Sequence, residues 1–223
     1  MLIVIEGLDG AGKSTQVKMV KEYILSAGMD LEYLHFPRYE APVYGELIGK
    51  FLSGEFGAND QVHPQLVALL FALDRADAGK QIRQWLSNGK TVLLDRYVNS
   101  NIAYQCSKIA DREKRNALME WIFKLEYEIY AIPRPDINIF LDVPISFVAK
   151  KLQENREGEE RNYLHGGSDI HEASIEFQKG VRDIYLQRCS IDANFKRVNC
   201  STTEGTMAAP DVIFSRIKDV LKF

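Results

Sequence analysis

Apolar residues along this chain fall into short dense runs, separated by longer stretches in which they recur every three or four positions. Dense runs rich in β-branched residues predict buried strands, and the three-to-four spacing predicts amphipathic helices. The first strand is predicted at residues 2–5. A helical period follows over 14–27, carried by Val17, Val20, Ile24 and Leu25, with Gly28 as its stop. A second strand is predicted at 31–36, and helices at 43–52 and 64–86, the latter closing at Asn88-Gly89. Strand three is placed at 91–94, helices at 98–104 and 113–126, and strand four at 137–141. A helix over 144–154 leads into a polar Gly/Arg/Glu-rich stretch, then a helix near 171–187. Residues 195–199 form a fifth candidate strand and 210–221 a final helix.

Strands alternating with helices imply an α/β fold: a parallel sheet wrapped on both faces, with any ligand at the carboxyl ends of the strands. At 223 residues the chain reads as one domain, 1–223, with a candidate lid at about 155–169. A net charge of −3 argues against nonspecific nucleic-acid binding. The apolar N-terminus is too short for a signal peptide or a membrane span and is committed to the first strand. Cys106, Cys189 and Cys200 are an odd set without paired spacing, which fits free thiols in a reducing cytoplasm. His35, His63, His165 and His171 show no zinc-ligand spacing.

Chemistry concentrates just after the strands. Strand one runs into Gly7-Leu8-Asp9-Gly10-Ala11-Gly12-Lys13-Ser14-Thr15, which fits G-x-x-x-x-G-K-[ST]. Glycines let the backbone turn its N–H groups inward, and the helix that follows opens with unpaired donors and a positive dipole end. The result is a cradle for a polyphosphate, with Lys13 on the β/γ-phosphates and the Ser14 hydroxyl on Mg²⁺. After strand two come Phe36-Pro37-Arg38-Tyr39. Arg38 is placed to grip a phosphate bidentately, and a solvated loop arginine accounts for it equally well. After strand three come Asp95-Arg96-Tyr97. Neither Asp95 nor Arg96 belongs in a core unpaired; beside a P-loop, a carboxylate near Mg²⁺ and an arginine on the transferring phosphoryl group outweigh a structural ion pair. The helix after them offers Asn101, Tyr104 and Gln105, hydrogen-bonding groups suited to a base and sugar.

Phe71 and Arg75 lie four apart and share a helix face. Spacing alone favours Phe71 as core with Leu66, Leu70 and Leu73, over a ring laid on a nucleobase. The polar segment over 155–169 reads either as a surface loop or as a lid that brings Arg156 or Arg161 onto the phosphates and excludes water.

Together these motifs resemble the thymidylate kinase family over essentially the whole chain. They are E-G-x-D-G-x-G-K-S-T from Glu6, F-P-R from Phe36, F-x-x-x-R from Phe71, D-R-Y-x-x-S-x-x-A-Y-Q from Asp95, and D-I-H-E from Asp169. The resemblance implies a P-loop kinase fold with a five-stranded parallel sheet and a small mobile lid. It implies phosphorylation of dTMP to dTDP with ATP and Mg²⁺, and a homodimer formed through helix packing. In that reading Phe71 stacks on thymine and Arg75 reaches its O4, against the preference for core. Asn101 contacts the base with Ser100 beside it, and Tyr104 sits under the sugar where a 2′-OH would collide. Arg38 and Arg96 hold the dTMP phosphate with Tyr39 nearby, and Asp9 binds the 3′-OH. Some members carry a catalytic arginine in the P-loop where this chain has Gly10, so the charge is expected from the lid, through Arg156, Arg161 or both. The adenine pocket is expected near 199–202. Competing readings are a P-loop kinase for another deoxynucleotide or nucleoside, and a nucleotide-binding switch.

Overall fold

In a computed structural model, residues 1–154, 170 and 174–222 are described. Five strands form one parallel sheet in the order β2-β3-β1-β4-β5: β1 (Leu2–Gly7), β2 (Leu31–His35), β3 (Thr91–Asp95), β4 (Ile137–Asp142) and β5 (Phe195–Asn199). The α/β fold is the expected one. Burial follows position in the sheet. Every residue of β1 and β3 is buried, as central parallel strands covered on both faces require, whereas the edge strands β2 and β5 are only partly covered.

Helices fill both faces: α1 (Lys13–Ser26), α2 (Tyr44–Leu52), α3 (Pro64–Ser87), α4 (Val98–Cys106), α5 (Arg112–Phe123), α6 (Ile145–Gln153), α7 (Ile175–Ile191) and α8 (Pro210–Leu221). Val17, Val20 and Ile24 of α1 join Ile213 and Ile217 of α8 in the main core, and Tyr23 meets Phe214 edge-on at 5.9 Å. A second, smaller cluster of Ile48, Phe51, Leu52 and Val67 ties α2 to the start of α3. No described helix is long and apolar enough to cross a membrane.

Three elements depart from the hydrophobic pattern in instructive ways. The helix expected over 113–126 becomes π-helical after Phe123, and the wider turn runs Lys124–Ile129. The last long helix starts only at Ile175, because Ser174 caps it by accepting from the Phe177 backbone N–H. In α3 the bulky residues do not mark the core face. Leu66 is 63% exposed, Leu70, Phe71 and Leu73 are half-buried, and the buried face is Val67, Ala68, Ala72, Asp74, Arg75, Ala78, Gly79 and Ile82. Small residues let α3 approach its neighbours closely, and two buried charges take the place where the pattern called for apolar bulk. Arg156, Arg161, Asp169, His171 and Glu172, assigned to the lid and its D-I-H-E motif, lie outside the described residues.

Candidate active site

The register of the central strands sets Ile5 of β1 beside Asp95 of β3, so the loops leaving both strands emerge together. From β1 the chain turns through Gly10 and Gly12, at φ 71 and 73, a left-handed backbone that side chains disfavour. Gly12 is the N-cap of α1 and has no side chain with which to cap it, and the first turn of α1 carries no acidic residue. By contrast α3, α5 and α7 are capped by His63, Asp111 and Ser174. The first turn of α1 therefore keeps donors and positive dipole available to an anion. Gly7 is buried and so is Ala11, Lys13 is half-buried, and Ser14 and Thr15 are exposed. A Cβ on Gly7 would stand 3.3 Å from Lys13 Cγ, so the missing side chain lets the lysine lie along the loop. Lys13 Nζ donates to Leu8 O at 3.1 Å. Burial, with Arg96 adding to it, lowers the Lys13 ammonium to about 8.

Asp9 joins this loop to the segment after β3. Its Oδ1 accepts from Arg96 Nη2 at 2.6 Å, and its Oδ2 accepts from Tyr104 OH at 2.8 Å and from Gln178 Nε2 at 2.9 Å. Arg96 has φ 67, a strained backbone for an arginine, and its N–H is held by Ile5 O at 2.9 Å. Its Nη1 donates to Ser100 Oγ at 3.2 Å, and its guanidinium lies 5.2 Å from the centre of the Tyr104 ring. Burial pulls the Arg96 pKa down, and Tyr104 and Asp9 outweigh it and hold it well above the ordinary value. Beneath this pair lies Glu6, wholly buried. It accepts from the backbone N–H groups of Tyr97 and Ser100 at 3.0 and 3.2 Å, from Tyr185 OH at 3.0 Å and from the Ser100 hydroxyl. Burial raises the Glu6 carboxyl, and the Ser100 and Tyr185 hydrogen bonds restrain the rise. Glu6 and Gln178 had been given no role from the sequence; a glutamate at a strand end reads as solvated until its four donors, up to 179 positions away, are known.

Asp95 is 5% exposed, and its Oδ1 has no hydrogen-bond partner among the described residues. The sequence argument kept Asp95 and Arg96 out of a core unless paired. Arg96 is paired, and Asp95 presents an orphaned acceptor within the electrostatic reach of Lys13. No group of three or more His, Cys, Asp or Glu side chains able to hold a metal occurs among the described residues. Mg²⁺ keeps most of its shell as water and phosphate oxygen, so one carboxylate and one hydroxyl, Asp95 and Ser14, suit it.

The remaining residues form the wall toward β2 and α3. Phe36 and Pro37 are buried, the bond between them is cis, and Arg38 follows half-buried. Arg38 Nε donates to Asp74 Oδ1 at 2.8 Å and its Nη2 to Asp77 Oδ2 at 2.6 Å, which fixes the guanidinium against α3. Tyr39 packs on the smaller cluster with Phe71, and Phe71 meets Phe51 edge-on at 6.3 Å. Arg75 is buried in an ion pair with Glu126, and Asn101 reaches the same carboxylate. Gln105 is 1% exposed and its Oε1 lacks a partner among the described residues.

Gly45 supports this wall without having drawn notice in the sequence. A Cβ there would lie 2.2 Å from Tyr39 O and 2.6 Å from Arg38 O, both backbone atoms that cannot swing aside. Gly45→Ala is expected to destabilise the protein by about 1–3 kcal/mol. In urea unfolding that appears as a lower midpoint at unchanged slope; an unchanged midpoint would mean the Arg38 segment yields freely.

The glycine-rich loop, the shared carboxylate and the Phe36–Arg38 segment thus stand on adjoining strand ends. A thymidylate kinase family model matches residues 5–207. The chain belongs to the thymidylate kinase family. A nucleotide substrate and a kinase reaction come with that membership. It is similar to the thymidylate kinase of Mycobacterium tuberculosis, 33% identical over 188 residues covering 84% of this chain and 85% of that protein. It is likewise similar to the human thymidylate kinase, 33% identical over 86% of this chain and 82% of that one. A probable thymidylate kinase of Thermococcus onnurineus is 35% identical over 84% of this chain and 83% of its own. In fold it matches the structure of thymidylate kinase from Candida albicans with a TM-score of 0.71 at 24% identity, over 99% of this chain and 90% of that chain.

Proposed function

We propose that this chain transfers the γ-phosphoryl group of ATP to dTMP, giving dTDP and ADP. The observation that carries the reading is the Asp9–Arg96 pair, which sets an acceptor-side arginine directly against the P-loop. The uncapped start of α1 and Lys13 take the donor phosphates, while Phe71, Arg75, Asn101 and Tyr104 take the thymine and sugar. Arg38 and Arg96 orient the acceptor phosphate, so that its oxygen meets the γ-phosphorus in line. Lys13 and Arg96 then face the charge that spreads over the transferring group, and a lid arginine, Arg156 or Arg161, completes the set. Mg²⁺, held by Ser14 and Asp95 with the phosphates, would supply further neutralisation of that charge.

The test is ADP formation from ATP and Mg²⁺ with each nucleoside monophosphate in turn, beside a control without acceptor. Turnover selective for dTMP is the expected result. Equal or better turnover with another acceptor would keep the phosphate chemistry and remove the base-pocket assignment. Slow ATP loss with no acceptor dependence would remove the kinase reading.

A further inference from the structure

Arg75 and Glu126 form the least exposed ion pair among the described residues, with side chains 2% and 0% exposed. Glu126 arrives there because the helix carrying it widens into the π-helical turn. Arg75 Nε donates to Oε2 at 2.5 Å and Nη2 to Oε1 at 2.8 Å, a two-pronged clamp that fixes the plane of the guanidinium. Oε1 also accepts from Asn101 Nδ2 at 3.0 Å, and the same nitrogen donates to Ala68 O at 2.9 Å. Both groups facing that end of the amide are acceptors, so chemistry dictates which end of Asn101 is the nitrogen. The other end, Oδ1, is buried with no hydrogen-bond partner among the described residues.

One carboxylate therefore fixes the plane of Arg75, whose groups are donors throughout, and with the Ala68 carbonyl sets which end of Asn101 is turned away from them. Arg75 keeps donors to give, and Asn101 is left with an acceptor. That combination matches a pyrimidine edge with an O4 acceptor beside an N3–H donor. It opposes the cytosine edge, where N3 accepts and the exocyclic amine donates. We infer that Glu126 is the positioning residue for base selection, holding Arg75 and Asn101 in the donor–acceptor order that admits thymine and rejects cytosine. The inference rests on the dTMP reading above. Glutamine in its place would lose the ion pair and bring an N–H₂ group of its own; where that group faces Asn101, only the Ala68 carbonyl still holds the amide in its present sense, and an amide that turns over presents a donor where an acceptor stood.

The experiment compares kcat and KM for dTMP and dCMP in the wild type, Glu126→Gln and Glu126→Asp, with thermal melting of each. In Glu126→Gln the KM for dTMP is expected to rise about tenfold or more while kcat moves less, and the preference for dTMP over dCMP to fall at least about tenfold. Glu126→Asp keeps a charge and two acceptors on a shorter arm; it is expected to raise KM for dTMP but hold the preference within about threefold of wild type. An unchanged preference in Glu126→Gln, or a preference lost equally in Glu126→Asp, overturns the inference while a dTMP-selective wild type leaves the acceptor reading standing. Should Glu126→Gln not fold, a Glu126→Asp enzyme with wild-type KM for dTMP overturns it by itself. A wild type indifferent to dTMP removes both.

Discussion

Arg96→Ala is expected to lower turnover by roughly 10³-fold or more with the fold retained, the scale on which a phosphoryl-transfer arginine acts. The expectation comes from where the guanidinium is held. Its Nη2 is on Asp9 of the P-loop, its Nη1 on Ser100 at the start of α4, and its backbone is pinned to Ile5 of β1. The group is thus fixed between the loop after β1 and the start of α4 by the protein's own contacts, and preorganised charge is what stabilises a transition state without reorganisation. Arginine already bears the strain of φ 67, about 1–2 kcal/mol for any L side chain, so alanine there adds none of its own. Asp9 keeps Tyr104 and Gln178, so the loop is not stripped of partners. Arg96→Lys returns the charge without the planar fork and should recover only part of the rate. Steady-state kcat with both substrates saturating, and melting of both variants, decide the matter. Near wild-type turnover in Arg96→Ala would take this residue out of the mechanism.

Lys13→Ala is expected to cost about 10²–10³ in kcat, and the same lysine gives the protein a pH signature. Burial holds its ammonium near 8 in the free protein, so it is charged below that pH and neutral above it. A bound polyphosphate favours the charged form. ATP affinity should therefore be flat below pH 8 and weaken above it by up to about tenfold per pH unit, until the bound lysine itself titrates. Stability of the free protein moves the other way. The folded chain carries this charge less readily than the unfolded chain, so the cost is full below pH 8 and is relieved between about pH 8 and 10.5. Calorimetric titration of nucleotide from pH 6.5 to 9.5 on wild type and Lys13→Ala checks the assignment. The variant should lose the break near 8; a break of equal size in the variant would assign it to another group.

Sequence and structure agree where local chemistry is sufficient. The P-loop is legible because its glycines, lysine and hydroxyl lie within eight positions and each has a local reason to be there. The central strands are legible because burial on both faces leaves unbroken apolar runs. Glu126 was not legible, since a glutamate late in an amphipathic helix reads as a solvated face. The guanidinium 51 residues away, with the Asn101 amide, makes its burial affordable. The buried face of α3 was misread for the complementary reason. Periodicity weighs bulk, and α3 buries Ala68, Ala72, Ala78 and Gly79 with a charge on each of Asp74 and Arg75, leaving Leu66 outside. Gly45 has no signal in one sequence at all, because its constraint is a backbone on the far side of the turn.

The contact between Asp9 and Arg96 also has a thermodynamic side. A carboxylate from the loop after β1 and a guanidinium from the segment after β3 share one ion pair, so whatever draws on either partner alters what the other can offer. Linkage then makes the effect mutual. Under the proposed function, the factor by which one nucleotide changes the affinity for its companion equals the factor returned.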